Sequence, residues 1–285
     1  MAITLIFRTS FTTNFAQGVI SAFGAYVASY LMTSPIGDKK WSLPLYVAIP
    51  LSMVVSMLIA VFVDVVLFRK GRYVNSLGKQ IITMGLISII TGLTPNIFKE
   101  VKHTYEINPI SRKSIFLGNI GETKISLNVN SLVWVIVTVV IISAIFVLLR
   151  YSKWGLSVRA TASNEYVAGM MGINTHVVTA VSWGVAGALG ALAAYMKATE
   201  APQLTIYYMT DYQVTAFLAG ILGGFGTFHG PVICAALLIV AEYFILAVLP
   251  DELTGYSRVI VFAIALVIIF FKPQGIFGKK IEKKV

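Results

Sequence analysis

The chain has 285 residues, of which 57% are hydrophobic and only 12% are charged. Soluble globular domains carry about a quarter charged residues, so this composition excludes an ordinary soluble protein and indicates an integral membrane protein. The formal net charge of +10 does not indicate nucleic-acid binding. The basic residues lie between hydrophobic segments, where cytoplasmic loops of membrane proteins concentrate lysine and arginine.

Apolar segments of suitable length for membrane helices recur along the chain. A helix needs about 20 residues to cross the hydrocarbon layer, and barrel strands would instead alternate apolar and polar residues over about ten positions. The stretch 131–149 does not alternate in this way. The sequence therefore predicts an all-α fold, a single polytopic transmembrane helix bundle over residues 1–285 with about eight spans. The predicted spans are 14–33, 44–68, 77–97, 131–150, 176–196, 211–228, 230–249 and 257–272.

The first of these segments is the most polar, because it carries Asn14, Gln17 and Ser21. Two interpretations stay open, a pore-lining helix that tolerates polar residues and a helix that is only partly inserted. No signal-peptide cleavage pattern follows Arg8, so we expect the N-terminal segment to stay attached.

The basic residues predict the orientation of the spans. When the spans alternate in direction, one side of the membrane carries most of the lysines and arginines, and the short loops of the other side carry Lys39, Lys40, Lys197 and Arg258. Lysine and arginine are concentrated in cytoplasmic loops, so both termini are predicted to be cytoplasmic. The basic residues on the predicted cytoplasmic side are Arg8, Arg69, Lys70, Arg72, Lys79, Arg150, Lys153, Arg159, Lys272, Lys279, Lys280, Lys283 and Lys284.

Residues 98–130 form the one long loop predicted on the extracytoplasmic side. The alternating patch Lys124–Asn128 indicates a short hairpin, and an interfacial helix is the alternative. The loop is either a docking surface for an external partner or a solvated connector.

Two carboxylates lie within predicted spans, Asp64 and Glu242. A charge at membrane depth costs at least a few kcal/mol, so each needs a partner or water. Asp64 precedes Arg69 by five residues at the cytoplasmic end, where it can reach the interface. Glu242 lies deeper, and it has either a transport-linked role or a buried, hydrogen-bonded one.

Glycines mark two further features. Gly184, Gly187, Gly190 and Ala194 recur at three or four residues, which predicts one helix face that a neighbouring backbone approaches closely. The glycine-rich run 220–231 ends in a proline and interrupts helical hydrogen bonding, which is tolerated at depth only within protein or beside a water-filled cavity. We therefore expect a broken helix that borders the translocation path there.

Residues 151–175 form the longest predicted cytoplasmic loop. Their apolar side chains recur at helical spacing, and Gly172 followed by Asn174 supplies a stop signal, so an amphipathic helix is predicted. Such a helix needs a surface to cover. It lies either on the membrane surface or in a groove of another protein.

The sequence contains no signature of an enzyme site. It lacks the nucleotide-binding loop pattern and the nucleophile motif, and no metal-binding spacing links His103, His176 and His229. Cys234, the single cysteine, is expected to be a small core residue. The chain is therefore predicted not to be an enzyme and to hold no cofactor or metal. If ATP drives transport, a separate subunit must bind it.

An ordered set of short motifs along nearly the whole chain resembles one family, the LivH/LivM-type permeases of branched-chain amino acid ABC importers. The segment Trp154–Asn174 looks like that family's coupling segment. Its features are Arg159-Ala160, Asn164-Glu165 and Met171-Gly172-Ile173-Asn174. The other matching motifs are Asn14-Phe15-Ala16-Gln17-Gly18 with Gly24-Ala25-Tyr26 after it, Leu222-Gly223-Gly224-Phe225-Gly226, and Lys272-Pro273-Gln274-Gly275-Ile276-Phe277-Gly278.

The resemblance implies a multi-pass subunit of the inner (plasma) membrane, more similar to the LivH half than to the LivM half. Its partners would be a second permease subunit (LivM-like or a second copy), two cytoplasmic ATPases, an extracytoplasmic substrate-binding protein and membrane lipid, with a branched-chain or related amino acid as substrate and no nucleic acid. It implies coupling to the ATPases through Arg159, Ala160, Asn164, Glu165, Gly172, Ile173 and Asn174. The translocation pathway is expected at Asn14, Gln17, Gly18, Gly223, Gly224, Gly226 and Glu242.

The chain departs from the family pattern near its start. Gln17 stands where the family usually has histidine, and only thirteen residues precede Asn14, so we expect the family's first hydrophobic helix to be absent or the start to be misassigned. The alternative function is an ion-coupled secondary transporter or channel for a small polar solute such as urea, an amide or an amino acid.

Overall fold

The computed structural model describes residues 1–33, 43–70, 75–98, 114–120, 123–200 and 204–278. Helices make up most of this part of the chain. The elements are α1 (Ala2–Ser10), α2 (Gln17–Thr33), α3 (Leu45–Phe62) continued by a π-helical turn (Val63–Phe68), α4 (Ser76–Ile97), β1 (Ser114–Ile120), β2 (Thr123–Asn128), α5 (Val129–Tyr151), α6 (Lys153–Ser163), α7 (Glu165–Met170), α8 (Thr175–Ala198), α9 (Thr210–Gly223), α10 (His229–Val248), a 3-10 helix (Asp251–Tyr256) and α11 (Ser257–Phe271).

Six helices in the described ranges are long and apolar enough to cross a membrane, which confirms a polytopic helix bundle. Two of the eight predicted spans fall short of that length, because α2 has 17 residues and α9 has 14. The exact number of spans therefore stays a prediction. The six are Leu45–Phe68, Leu77–Ile97, Val129–Tyr151, Thr175–Ala198, His229–Val248 and Glu252–Phe271.

The predicted extracytoplasmic loop contains a two-stranded antiparallel hairpin, in which β1 pairs with β2. The alternating patch is part of β2, so the hairpin interpretation is confirmed. This small hairpin is an addition to a fold that is otherwise helical. Helix α5 begins at Val129, directly after β2 and inside the predicted loop. Residues 99–113 and 121–122 lie outside the described part of the chain, and the docking role of the loop stays a prediction.

Helix α8 is the central helix of the bundle. Of the residues in its most apolar stretch 56% are buried, against 17% in the spans that contain α4, α5, α10 and α11. Those outer helices are apolar on nearly all faces, as expected of helices in contact with lipid. Helices α2 and α3 pack on α8, and Trp183, Tyr195 and Ile20 are fully buried between them.

The predicted small-residue face of α8 is confirmed as a packing surface. A Cβ atom at Gly187 would lie 2.5 Å from the carbonyl oxygen of Ser56 on α3, and one at Gly184 would lie 3.0 Å from the side chain of Met57. Glycine at these positions is therefore what lets α3 and α8 approach each other closely.

Replacing Gly187 with alanine is expected to lower the free energy of unfolding by about 1–3 kcal/mol, because the added methyl group would overlap the backbone of α3. Gly85→Ala on α4 is the matched control, since nothing lies within 4 Å of its added Cβ. Thermal unfolding in detergent checks the prediction, and equal melting temperatures for the two variants would contradict it.

The glycine-rich run 220–231 ends one helix and begins another. Helix α9 ends at Gly223, Gly224 has a positive φ of 81°, and α10 begins at His229. The backbone N–H of Ile276 donates to the carbonyl oxygen of Leu222 at 2.7 Å. The segment 273–278 thus supplies a hydrogen-bond donor to a carbonyl oxygen at the C-terminal end of α9 that has no partner within the helix. The interruption is thus a turn between two helices at one end of the bundle.

Segments predicted to be cytoplasmic meet at one end of the bundle. Arg69 donates from Nη2 to the carbonyl oxygen of His176 at 2.8 Å, which joins the end of α3 to the start of α8. Arg8, Arg150 and Arg159 line one cavity together with Pro273. We refer to this end as the cytoplasmic end, following the concentration of basic residues, and to the opposite one as the outer end.

Candidate translocation and coupling sites

The connection between α1 and α2, residues 11–16, forms a buried turn, which we call the N-terminal turn. Phe11 ends α1 in the left-handed conformation, with φ 50°. The Asn14 side chain accepts from Ala16 N at 3.0 Å and donates from Nδ2 to Gln17 Oε1 at 3.2 Å. Asn14 and Gln17 are both buried, so Asn14 shapes the turn and orients Gln17.

The N-terminal turn and the start of α2 are held by hydrogen bonds to three other helices. Gln17 Nε2 donates to the carbonyl oxygen of Ala186, in the middle of α8, at 3.0 Å. On α4, the Thr83 hydroxyl accepts from Phe15 N at 3.2 Å. A turn without helical hydrogen bonds needs such partners inside a membrane protein, where water does not supply them.

Gln213 of α9 completes this set, and sequence analysis missed it. Its Nε2 donates to the carbonyl oxygen of Phe15 at 2.7 Å, and its Oε1 accepts from the backbone N–H of Gly18. One amide side chain thus satisfies two backbone groups around the start of α2. The available signal was a glutamine inside a predicted span, where polar residues are rare.

A cleft runs from the outer end of the bundle to the start of α2. Two cavities of about 300 and 470 Å³ form it, and they share Thr138, Ala193, Met196, Met209 and Tyr212 from α5, α8, the connection before α9 and α9 itself. The inner cavity ends at polar groups of Gln17, Gly18, Ser21 and Gln213, and its walls are the apolar side chains of Ile141, Ile142, Ile145, Leu189 and Leu192.

The outer mouth of the cleft carries opposite charges. Lys197 Nζ and Glu200 Oε2 are 2.8 Å apart, and both residues line the outer cavity together with Ser131. Apolar walls between a charged mouth and an amide-lined floor can accommodate a small solute that has both aliphatic and polar groups. Gln17 and Gly18, two of the predicted pathway residues, therefore lie at the cleft, and Asn14 supports them.

Glu242 lies elsewhere, in an ion-pair network on the outer part of α10. Its Oε1 is 2.9 Å from Arg258 Nε, and Arg258 Nη1 is 3.2 Å from Asp211 Oδ2. The pairing joins α9, α10 and α11. This is the hydrogen-bonded arrangement that the sequence left open, and the transport-linked role stays a prediction.

The three pathway glycines of the run 220–231 lie toward the cytoplasmic end. Gly223 packs against the start of α10, Gly224 against the segment 273–278, and Gly226 lines the cavity that contains Arg8. None of the three is among the described residues that line the cleft. Their pathway role stays a prediction.

The predicted coupling segment forms two helices instead of one. Asn164 adopts an extended conformation between α6 and α7 and caps α7 by accepting from Val167 N at 3.1 Å. Asn174 caps α8 in the same way, accepting from Val177 N at 3.2 Å. Gly172, with φ 84°, and Ile173, whose N–H donates to the Ala168 carbonyl, form the turn between α7 and α8. Several predicted coupling residues therefore define the shape of the segment.

The two helices differ in what their apolar faces contact. Val158 of α6 is fully buried in a cluster with Leu5, Ile145 and Leu149. On α7 and directly after it, Tyr166, Met170 and Met171 are 76%, 65% and 79% exposed. Helix α6 thus anchors the segment to the bundle, and α7 presents an apolar face that nothing in the described part of the chain covers.

Arg159 of α6 lies on the side toward α5, and Ala160 follows it. Arg159 Nη1 donates to the carbonyl oxygen of Arg150 at 3.3 Å, and its side chain lines the cavity that contains Arg8. Ala160 is half-buried, and its carbonyl oxygen accepts from Asn164 N at the end of α6.

Glu165 begins α7 and lines a polar cavity of about 370 Å³ at the cytoplasmic end. Asp64, Arg69, Lys79 and His176 also line it. Asp64 is buried, and its Oδ2 lies 3.4 Å from Arg69 Nη2. The cavity thus places the first residue of α7 near the end of α3 and the start of α8.

Arg69→Gln is expected to destabilise the protein by a few kcal/mol, because it leaves the buried carboxyl group of Asp64 without its ion-pair partner. Asp64→Asn is expected to cost less, since Arg69 keeps its hydrogen bond to the His176 carbonyl oxygen. Thermal unfolding of both variants in detergent tests this order. A larger loss for Asp64→Asn would show that the pair does not behave as described.

The fold and these sites define the class of the protein, a polytopic membrane protein with a solute-sized cleft and a separate helical projection at the cytoplasmic end. Comparison of the sequence with known families identifies the family within this class. The family described as branched-chain amino acid transport system / permease component matches residues 1–269. The chain belongs to this family.

Individual relatives match along almost the whole chain. The high-affinity branched-chain amino acid transport system permease protein LivH of Salmonella typhimurium is 27% identical over 293 residues, covering 99% of this chain and 91% of the relative. BraD of Pseudomonas aeruginosa, with the same description, is 25% identical over 291 residues, with coverages of 99% and 91%. The probable branched-chain amino acid transport permease protein LivH of Methanocaldococcus jannaschii is 23% identical over 298 residues, covering 99% and 89%. No solved structure matches the chain significantly.

Proposed function

We propose that this chain is the transmembrane permease subunit of an ATP-binding-cassette importer in the inner (plasma) membrane, and that it translocates branched-chain or related amino acids. The observation that carries the proposal is the exposed apolar face of Tyr166, Met170 and Met171. Three large apolar side chains at the cytoplasmic end, on a helix outside the spans, fit a groove of a soluble partner.

That partner is a cytoplasmic ATPase, present in two copies, which binds and hydrolyses the ATP. The permease itself is not an enzyme and needs no cofactor. Closure of the ATPases moves α7, and the short turn through Gly172 and Ile173 carries the displacement into the start of α8. The hydrogen bond from Arg69 to the His176 carbonyl oxygen then links α8 to the end of α3. Arg159, Ala160 and Gly172 are the further coupling residues of this proposal.

The cleft supports an amino acid with a branched aliphatic side chain as substrate. Its walls of isoleucine, leucine and methionine suit such a side chain, and the amide groups of Gln17 and Gln213 offer hydrogen bonds to the polar part of the solute. The relatives LivH and BraD are permease proteins of branched-chain amino acid transport systems. An extracytoplasmic binding protein delivers the amino acid, and a second permease subunit, LivM-like or a second copy, completes the pathway.

An ion-coupled secondary transporter or channel is the alternative. Such a protein needs intramembrane charges that bind or relay the ion. Asp64 and Glu242 are the two candidates from the sequence, and each is paired with an arginine. Because both carboxylates already have an arginine partner, they are less available to bind or relay an ion. This favours the ATP-driven importer over the ion-coupled transporter.

Uptake of radiolabelled leucine into vesicles separates the two functions. We expect uptake that requires ATP and the ATPase subunits that purify with the chain, and that does not respond to a proton or sodium gradient. Uptake that persists without the ATPases and follows an ion gradient would establish the alternative.

A further inference from the structure

A large cavity at the cytoplasmic end is lined by positive charge and aromatic rings, and we call it the basic cavity. Its volume is about 1450 Å³, and it lies between the ends of α1, α5 and α6, the turn after α9 and the segment 273–278. The described residues that line it include no aspartate or glutamate. Its basic residues are Arg8, Arg150, Arg159 and His229, and its aromatic residues are Phe7, Phe11, Phe146, Phe225 and Phe228.

The basic side chains are available to an anion. The Arg8 guanidinium carbon stacks over the Phe228 ring, 4.3 Å from its centroid. Stacking occupies the face of a guanidinium and leaves its N–H groups free at the edge. Within the described ranges Arg8 forms no ion pair and no hydrogen bond through its side chain. Arg159 donates one N–H to the Arg150 carbonyl oxygen, which keeps the Arg159 side chain near the same opening.

The surroundings of the basic cavity indicate an amphiphile as the occupant. Phe146, which is half-buried, lines it from α5 beside the exposed Val147 and Leu148. At the end of α11, immediately before the segment 273–278, Phe270 and Phe271 are 82% and 77% exposed, as expected of residues in lipid. The cavity therefore lies where the cytoplasmic surface of the membrane meets its hydrocarbon layer.

We propose that the basic cavity binds the phosphate headgroup of an anionic phospholipid from the cytoplasmic leaflet. Basic pockets between membrane helices on that side suit such headgroups, and each nearby lysine or arginine strengthens the attraction. The arginine side chains contact the phosphate, and the phenylalanines contact the glycerol backbone and the first acyl carbons. This site is separate from the cleft and from the exposed face of α7, and Arg159 is the one proposed coupling residue that lines it. The test therefore substitutes Arg8 and Arg150 and measures lipid binding, so its outcome can be told apart from a failure of the proposed transport function.

The test uses the purified full-length chain in detergent and measures retained lipid by native mass spectrometry during titration with phosphatidylglycerol or phosphatidylcholine. We expect saturable binding of phosphatidylglycerol and a dissociation constant about 25-fold higher for the Arg8→Gln/Arg150→Gln variant, about fivefold for each charge removed. The matched control is Lys153→Gln, an exposed residue of α6 that does not line the cavity, and it should bind as the wild-type chain does.

Three results of the titration itself would overturn the proposal. They are equal phosphatidylglycerol affinity in the wild-type chain and the double variant, equal affinity for phosphatidylcholine, and an equal loss in Lys153→Gln. Complete displacement by millimolar inorganic phosphate would also overturn it, because the ligand would then be free phosphate. If the double variant does not fold in a thermal unfolding control, Arg150→Gln alone replaces it, since that side chain is exposed, and a fivefold loss is expected.

Discussion

Replacing both Tyr166 and Met170 with serine should lower the affinity of the permease for its ATPase by at least about thirtyfold and abolish most ATP-dependent uptake. These side chains are 76% and 65% exposed, so the bundle does not need them for its own packing. Aromatic anchors that enter a partner's pocket contribute about 2 kcal/mol or more to binding. The measurements are pull-down of the ATPase from solubilised membranes and uptake of labelled leucine.

A matched control distinguishes the effect of losing the α7 surface from the effect of losing any exposed tyrosine. Tyr256 is 59% exposed in the 3-10 helix at the outer end, so Tyr256→Ser should leave ATPase binding unchanged. Membrane insertion and melting temperature should stay at wild-type values for both variants. If the double variant binds the ATPase normally, the assignment of α7 as the coupling surface is wrong.

Gln213→Leu is expected to lower the free energy of unfolding by about 2–6 kcal/mol, because two backbone groups lose their partner and each buried unsatisfied group costs about 1–3 kcal/mol. These groups are the carbonyl of Phe15 and the N–H of Gly18. We also expect at least a tenfold loss of uptake, since both groups belong to the floor of the cleft or the turn beneath it. Thermal unfolding and uptake per inserted molecule are the two measurements.

Thr215→Val on the same helix is the control for Gln213→Leu. The Thr215 hydroxyl donates to the carbonyl oxygen of Asp211 within α9, so its loss removes no contact between helices. This variant should keep wild-type stability and uptake. Normal uptake and stability in Gln213→Leu would mean that the N-terminal turn does not depend on α9.

Much of the helical architecture was predictable, because hydrophobic length is a strong signal. Segments such as 131–150 and 176–196 lie within α5 and α8, and the spacing of Gly184 and Gly187 correctly indicated a close helix contact. Helix α1 was not predicted. Its nine residues are shorter than a membrane span, and their burial depends on α8, which is distant in sequence.

The geometry of the sites was less predictable, because it depends on contacts between distant segments. Asn164 was singled out by a motif, yet its capping bond divides the predicted coupling helix into α6 and α7. Gln17 was placed in the pathway, but the amide that holds its turn, Gln213, lies 196 residues further along the chain. The spacing of apolar residues predicts which face of a helix is apolar, but it does not predict which other helix packs against that face.

The π-helical turn at the end of α3 explains why an aspartate and an arginine five residues apart can form an ion pair at all. In a regular α-helix, residues at that separation point about 140° apart around the axis. Here the backbone N–H of Arg69 donates to the carbonyl oxygen of Asp64, the i to i+5 bond of a π-helix, and the two side chains share one face. Rewinding this segment into a regular helix would rotate the two charges away from each other. Deleting one of the residues 65–68 along with that rewinding would instead leave the two charges four residues apart, about 40° around the axis, where an ion pair can still form.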